Sequence, residues 1–415
     1  MIKRDYYLNK MISKIDNGLI KVITGVRRCG KSYLLFNIFK NYLLKRNIDL
    51  QHIICVQLDR RSFVELQNPD KLLKYINNKI TDDKNYYVLI DEIQMCSNFE
   101  SVLNDFMYMD NVDVYVTGSN SKLLSKDIIT EFRGRGDEIQ LNPLSFFELY
   151  QQYDDFDTAW NDYYVYGGMP FILKLKESDE KIKYLKDLFK ETYIKDILER
   201  NKIKEDAILE DLLNILASTS GSLVNPNKLI NTFKSIKNID VSSNTIKKYL
   251  EILEDSFIIK RALRYDVKGK KYINTPCKYY FIDQGLRNAR LNFRQIEENH
   301  IMENVIFNEL NIRNFLIDVA TVEINEKNKD NSYSRKQLEC DFIASKGNLK
   351  YYIQSAYYIP DEEKEFQEKR PLLNINDSFK KIIIVRNNIN KTIDDNGIIT
   401  MSLKEFLLNI NSISF

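Results

Sequence analysis

Gly25-Val26-Arg27-Arg28-Cys29-Gly30-Lys31-Ser32 is a complete G-x-x-x-x-G-K-[ST] phosphate-binding loop, and its flanks are those the chemistry requires. Leu19-Ile20-Lys21-Val22-Ile23-Thr24 before it is a β-rich, mostly apolar strand. Tyr33 to Leu44 after it repeats apolar residues at helical spacing, with Leu35, Ile38, Phe39, Tyr42 and Leu43 on one side. The small residues Gly25 and Gly30 let the backbone curl so that successive N–H groups point inward at a β-phosphate, at the positive end of the helix that begins near Lys31. Lys31 adds a point charge for the β- and γ-phosphates, and the Ser32 hydroxyl ligates Mg²⁺. Residues Gly25 to Tyr33 are therefore the expected nucleotide-binding set, with ATP and Mg²⁺ as cofactors, in an α/β P-loop fold built on a parallel sheet.

A second segment agrees with the first. Tyr86-Tyr87-Val88-Leu89-Ile90-Asp91-Glu92 is an apolar strand ending in paired carboxylates. That pattern places one acid, Asp91, on the Mg²⁺ shell with Ser32, and the next, Glu92, beside the attacking water as general base. An apolar run capped by Asp-Glu is common by itself. It gains weight because it lies far enough downstream of Gly25 for an intervening helix and a strand, His52 to Leu58. Val112 to Thr117 is a further strand, running into Gly118-Ser119-Asn120, so a polar pair lands at a strand's carboxyl end, where α/β sheets bind ligands. Asn120 or Ser119 is positioned there to orient a lytic water, and Glu138 to Leu141 reads as a fifth strand.

Composition bounds the rest. The 415 residues are enough for roughly two to four domains, and the 44% hydrophobic and 29% charged content is that of a soluble globular chain. The longest apolar runs fall short of the ~18 residues that cross a bilayer, so no membrane role is expected. The first residues are polar and amphipathic, without the apolar segment of an export signal, and a cytoplasmic protein is the expectation. Five scattered cysteines with no C-x-x-C pair, and only His52 and His300, exclude a Cys/His zinc site and argue against a disulfide framework. A net charge of +2 means that any nucleic-acid surface must come from local clustering.

Taken together, G-V-R-R-C-G-K-S, L-I-D-E-I-Q, V-T-G-S-N-S, F-R-G-R-G and N-P-L-S-F-F-E resemble the AAA-type ATPases of a widespread bacterial and archaeal family. The resemblance covers nearly the whole chain and implies an ASCE/AAA-type P-loop domain over residues 1–145, a helical lid over 146–204, a winged helix over 205–290 and a restriction-endonuclease-like α/β domain over 296–415. It also implies that Arg135 matches an arginine reaching a neighbouring subunit's nucleotide, with Arg133 an adjacent candidate, and hence a homo-oligomer. Gly167-Gly168-Met169-Pro170 resembles a signature in the family's helical lid; a packed turn is the safer reading of the residues themselves.

The middle of the chain reads as helices Leu144 to Tyr153, Thr158 to Tyr164 and Lys181 to Leu198. Three more follow, Ala207 to Ser218, Pro226 to Ser235 and Thr245 to Asp255, then two strand-like runs, Phe257 to Tyr265 and Lys278 to Ile282. Three helices and a hairpin in that order describe a winged helix. Lys247 and Lys248 on the third helix, with Arg261, Arg264, Lys268, Lys270 and Lys271 in the hairpin, are candidates to lie along a phosphate backbone, although Glu251, Glu254 and Asp255 dilute their charge. Protein contact is the alternative use of such a module.

In the C-terminal part, helix Ile301 to Arg313 carries Glu303, strand Leu338 to Ala344 carries Glu339-Cys340-Asp341, and strand Leu349 to Ala356 carries Gln354. With helix Glu362 to Leu373 and strand Lys380 to Val385, the order is α-β-β-β-α-β, resembling the PD-(D/E)xK nuclease-like domain of the family. Active relatives carry an acid-x-Asp strand and then Ile-Glu-x-Lys. Gln354 here replaces the second carboxylate and Ala356 replaces the lysine. Phosphodiester cleavage needs clustered anionic ligands for Mg²⁺ and a cation or base beside water. Glu303, Asp341 and Gln354 therefore read as a degenerate site. The expected function is an ATPase that remodels or translocates on DNA. The alternatives are an ATP-controlled switch acting on a protein partner and, disfavoured by Gln354 and Ala356, an ATP-dependent nuclease.

Overall fold

The computed structural model describes residues 2–118, 136–203, 207–237, 240–327 and 332–413. Ser119, Asn120, Arg133 and Arg135 lie outside the described residues. Contacts divide the chain into two units, Met1–Pro143 with Asp255–Phe257, and Leu144–Glu254 with Ile258–Phe415.

The first unit alternates strands and helices: α1 (Asp5–Ile12), β1 (Ile20–Thr24), α2 (residues 31–45), β2 (Ile53–Gln57), α3 (Pro69–Asn77), β3 (Tyr86–Asp91), α4 (Phe99–Phe106), β4 (Val112–Thr117) and β5 (Gly136–Gln140). The five strands form one sheet in the order β2-β3-β4-β1-β5, and every neighbouring pair is parallel. Strands buried on both faces need near-continuous apolar sequence, which is what β1 and β3 carry. Lys21 breaks the β1 run and is fully buried; it is neutralised by an ion pair with Asp113 on β4 and lies 5.2 Å from the Tyr115 ring centroid. Leu72 and Ile76 of α3 and Val102, Leu103 and Phe106 of α4 fill the core against Val88, Ile90 and Val116. Asn68 caps α3 by accepting from the Lys71 N–H at 3.1 Å, with Pro69 at its first position. On α2 the buried face is Leu34, Leu35, Phe39 and Leu43, so Leu34 joins the face expected from spacing, while Ile38 and Tyr42 are only half-buried.

The second unit begins with α5 (Phe146–Tyr150), α6 (Phe156–Tyr166) and α7 (residues 178–200). A capping box starts α5, the Glu148 N–H donating to Ser145 Oγ at 3.2 Å and the Ser145 N–H to Glu148 Oε2 at 3.0 Å. Next come α8 (Ala207–Ser218), β6 (Leu223–Val224), α9 (residues 226–237), α10 (Ser243–Asp255), β7 (Ile259–Asp266), β8 (Lys271–Phe281), α11 (Gln284–Arg290) and α12 (Glu298–Ile312). The chain closes with β9 (Leu316–Lys327), β10 (Tyr333–Lys346), β11 (Leu349–Ala356), α13 (Glu362–Leu373), β12 (Lys380–Val385), β13 (Thr392–Ile393), β14 (Ile398–Ser402) and α14 (Leu403–Leu408).

These strands make one nine-stranded sheet, ordered β13-β14-β12-β11-β10-β9-β7-β8-β6. The β7–β8 hairpin is longer than the sequence indicates, and it pairs in parallel with β9 through Arg264↔Val319, Tyr265↔Ala320 and Asp266↔Thr321. The hairpin that was expected to belong to a separate module is thus an integral part of the C-terminal sheet. Helix α11 has no counterpart among the elements read from the sequence.

Gly167 and Gly168 form a packed turn. The buried Asp283 carboxylate accepts from the Gly168 N–H at 2.7 Å and caps α11 by accepting from the Leu286 N–H at 3.0 Å. Burial pushes Asp283 up to about 6, against those hydrogen bonds. A Cβ added at Gly285 would lie 2.0 Å from the Tyr166 carbonyl oxygen, and one at Gly168 would lie 2.2 Å from that of Leu144. We expect Gly285→Ala to lower the stability of this unit by about 3 kcal/mol or more, since backbone on both sides must move. Gly347→Ala, which meets nothing within 4 Å, should lose only the ~1 kcal/mol of its positive φ. Thermal unfolding of the two variants side by side checks the difference.

Candidate functional site

The phosphate-binding loop joins the C-terminal end of β1 to α2. Gly25 has φ +139° and Gly30 φ +103°, and Arg28 between them is also left-handed at φ 62°. A Cβ on Gly25 would lie 2.1 Å from the Leu141 carbonyl oxygen, so only glycine fits. Lys31 is buried, and its Nζ donates to the Gly25 carbonyl at 2.9 Å and the Val26 carbonyl at 3.1 Å, which holds the ammonium inside the curve of the loop. Arg27 is half-buried and Tyr33 is exposed at the mouth of the helix. Cys29 is fully buried, and burial pushes its thiol up, which makes it a packing residue and not a nucleophile.

Underneath, the N-terminal segment braces the loop. Arg4 is buried, donates from Nη2 to the Asn142 carbonyl at 2.8 Å and from Nη1 to the Cys29 carbonyl at 3.3 Å, and sits 4.7 Å from the Tyr7 ring centroid. Tyr7 Oη in turn accepts from the Asn142 N–H at 3.2 Å.

Strand register assembles the acidic side. Ile90 pairs with Val116 and Ile23 with Thr117, so the ends of β3, β4 and β1 fall at one level. Asp91 is buried there, hydrogen-bonded by the Thr117 and Ser32 hydroxyls. Burial raises its pKa and those two donors oppose the rise. Thr117 Oγ also accepts from the Glu92 N–H at 3.0 Å, so one hydroxyl fixes both acids. Glu92 has φ 53°, and its carboxylate accepts from the Gln94 side-chain amide. The structure therefore brings Gly25, Lys31, Ser32, Asp91 and Glu92 to one sheet edge. A cavity of about 170 Å³ lined by Asp16, Ile20, Phe106 and Asp113 lies at the other end of β1 and β4.

Lys247 and Lys248 are exposed on α10, and Lys268, Lys270 and Lys271 are exposed at the β7–β8 turn. Arg264 does not belong with them: it is buried and donates to Gln337 Oε1 at 2.7 Å.

The second chemical cluster is in the C-terminal sheet. The Asp341 N–H donates to Gln354 Oε1 at 3.3 Å, and Gln354 Nε2 donates to Glu368 Oε2 at 2.9 Å. A β-bulge between Cys340 and Ile343 re-aims Asp341. Glu303 from α12 joins this group, and between them lies a lysine that sequence reading had not placed there: Lys278 Nζ is 2.9 Å from Glu303 Oε1, 2.9 Å from Glu339 Oε1 and 3.3 Å from Asp341 Oδ1. The expectation of acids without a lysine is corrected on this point. Ala356 is core, and the cation comes from β8 instead.

An AAA-domain model matches residues 17–150, and a model described as a domain of unknown function, DUF8612, matches residues 157–297. An uncharacterized protein of Haemophilus influenzae is 33% identical over 417 residues, covering 98% of this chain and 99% of its own length. A second uncharacterized protein, from Methanocaldococcus jannaschii, is 30% identical over 437 residues, covering 98% of this chain and 90% of its own. The chain belongs to their family. Among solved structures, the Aeropyrum pernix ORC1 protein in complex with DNA aligns with 70% of this chain and 92% of that one at 11% identity and TM-score 0.28. A DNA polymerase III gamma subunit-related protein of Thermotoga maritima aligns with 60% and 99%, at 11% identity and TM-score 0.27. Similarity at that level does not bear on what the chain does.

Within the first unit two residues escaped the sequence reading. A threonine ending an apolar strand carries no signature, and Thr117 is identified only by register. Arg4 stands in an amphipathic segment far from the loop in sequence, so nothing but the fold pairs them. Replacing Arg4 with Met leaves the Asn142 and Cys29 carbonyls without their donor. We expect a loss of about 1–3 kcal/mol in the unfolding of this domain, against less than about 0.5 kcal/mol for Lys45→Met on the exposed side of α2. Chemical denaturation followed by a domain-specific probe measures both.

Proposed function

We propose that the chain binds ATP with Mg²⁺ and hydrolyses it. The observation that carries this reading is the convergence of the loop, Lys31, Ser32, Asp91, Glu92 and Thr117 at the C-terminal edge of a parallel sheet. These residues fit the group: a loop that excludes any Cβ at Gly25, a buried ammonium held inside it, and a hydroxyl already bonded to a buried carboxylate. Mg²⁺, when bound, neutralises charge on the phosphate oxygens. Ser32 and Asp91 would hold it. Lys31 exchanges its carbonyl partners for phosphate oxygens, Glu92 takes the proton of the attacking water, and Thr117 fixes the backbone on which Glu92 stands.

Lys31→Ala should then weaken ATP binding at least tenfold, whereas Glu92→Gln and Thr117→Val should bind ATP within about threefold of the parent and lose at least tenfold in kcat. Equilibrium binding of labelled ATP with phosphate-release kinetics separates these, and normal turnover in Glu92→Gln would remove it as the base.

We further infer that DNA is the macromolecule on which the cycle acts, contacted through its backbone by Lys247, Lys248, Lys268, Lys270 and Lys271, all of which are exposed. The helical order α8, α9, α10 followed by the β7–β8 hairpin supports a winged-helix module here, preceded by a helical lid and sharing its hairpin with the C-terminal sheet, and the α12 to β12 order supports a nuclease-like domain. A homo-oligomer in which Arg135 or Arg133 reaches a neighbouring nucleotide belongs to the same proposal, supported by the F-R-G-R-G resemblance. Replacing Lys268, Lys270 and Lys271 together with Ala should weaken DNA binding about equally across sequences and reduce the slope of log K against log salt by about 2–3. Fluorescence anisotropy across a salt series reads this out. Absence of DNA binding by the parent at low salt would favour the alternative, an ATP-controlled switch acting on a protein partner.

A further inference from the structure

Lys278 is a buried charge of the second unit. It stands on β8, where period-two alternation puts Lys278 and Tyr280 on one face and Cys277 and Tyr279 on the other. That face turns toward α12 and β10. Three carboxylate oxygens receive the ammonium, from Glu303 on α12 and from Glu339 and Asp341 on β10, at 2.9, 2.9 and 3.3 Å. An ammonium has three donors and no acceptor, so three acceptors satisfy it. Two further bonds fix the acids: Tyr280 Oη donates to Glu303 Oε1 at 2.6 Å, and the Ser355 N–H donates to Asp341 Oδ2 at 2.9 Å.

The place is also roofed. The turn after α8 crosses it at Gly221, where a Cβ would be 3.2 Å from Glu303 Oε1, and Ser220 Oγ donates to Asn304 Oδ1 at 2.8 Å. Burial opposes the charge on Lys278, yet its neighbours Tyr280, Glu303, Asp341 and Glu339 outweigh that and hold its pKa well above the usual value. Burial and the charge of Asp341 push Glu303 up to about 7.

We propose that the Lys278 ammonium is the resident cation of this acidic pocket, taking the place a divalent metal would occupy and fastening the β7–β8 hairpin to the C-terminal strands. A divalent cation needs oxygens at about 2.0–2.6 Å, whereas the three carboxylate oxygens stand 2.9, 2.9 and 3.3 Å from the Nζ, a spacing that suits an ammonium. Two cations cannot share the position, because the like charges would meet in a low-dielectric enclosure. Among the described residues no group of three or more His, Cys, Asp or Glu side chains is arranged to hold a metal ion. The pocket therefore works as a metal-independent clasp. The inference is independent of the ATPase reading, since every residue in it belongs to the second unit.

The test uses the full chain without nucleotide, with Mn²⁺ as probe. Uptake is read by the loss of the free-ion electron paramagnetic resonance signal, and stability by thermal unfolding. The parent and Asp341→Asn should take up the same Mn²⁺, and Mn²⁺ should not move the parent's unfolding temperature. Lys278→Met should unfold roughly 5 °C or more lower, because buried Asp341 and the half-buried Glu303 and Glu339 lose their counter-charge. It should also acquire Mn²⁺ uptake that restores most of that shift and disappears in Lys278→Met with Asp341→Asn. Mn²⁺ uptake by the parent that Asp341→Asn abolishes would overturn the proposal, as would Lys278→Met that is unshifted or indifferent to Mn²⁺. If Lys278→Met does not fold, the parent and Asp341→Asn comparison decides alone.

Discussion

The Gly25 backbone passes so close to the carbonyl of Leu141, just past the end of β5, that an added Cβ would sit 2.1 Å from its oxygen. That approach is possible because β1 and β5 run parallel in register from Ile20↔Gly136 to Thr24↔Gln140, which delivers the loop and residue 141 to the same level. The remaining parts of the edge depend on it. The loop must curl away at positive φ, the curl brings the Lys31 ammonium back over the Gly25 and Val26 carbonyls, and the helix that follows presents Ser32 to Asp91. Thr117 completes the arrangement from the other neighbour of β1. Burial raises the pKa of Asp91, and the hydroxyls of Thr117 and Ser32 work to keep it ionised. An anionic group of that kind is what a cation-assisted phosphoryl transfer requires.

The second unit solves a different electrostatic problem. Acids collected on β10 and α12 would repel one another when buried, and the chain supplies the compensating charge from a strand far away in sequence. Because that strand belongs to the β7–β8 hairpin, and the hairpin is already hydrogen-bonded to β9, main-chain pairing and the lysine cluster fix the same register. Asp283 plays a comparable part around Gly168 and α11, holding a buried carboxylate by backbone donors alone.

What the sequence disclosed follows from how local each signal is. The phosphate-binding loop and the strands of the first sheet were legible to within a residue or two at nearly every end, because parallel strands buried on both faces write continuous apolar runs. Glu303, Asp341 and Gln354 were grouped through the resemblance, and in the structure Asp341 bonds to Gln354 and shares Lys278 with Glu303. Thr117 and Arg4 were not legible, since their partners are chosen by register and by the return of the N-terminal segment. Lys278 was read only as the first residue of a strand; the lysine missing at residue 356 gave no hint that another would arrive from β8. The buried Arg264 shows the opposite error, in which a basic residue in a hairpin was assigned to the surface although it reaches Gln337 on β10.

The central claim is that the C-terminal edge of the first sheet holds nucleotide through the loop, Lys31, Ser32 and Asp91. A crystal structure of the full chain with a non-hydrolysable ATP analogue and Mg²⁺ tests it most directly. The account predicts that Lys31 Nζ leaves the Gly25 and Val26 carbonyls for phosphate oxygens and that the metal contacts the Ser32 hydroxyl, with Thr117 still bridging Asp91 and the Glu92 backbone. An analogue seated away from this edge, or seated there with Lys31 still bonded to the two loop carbonyls, would contradict it.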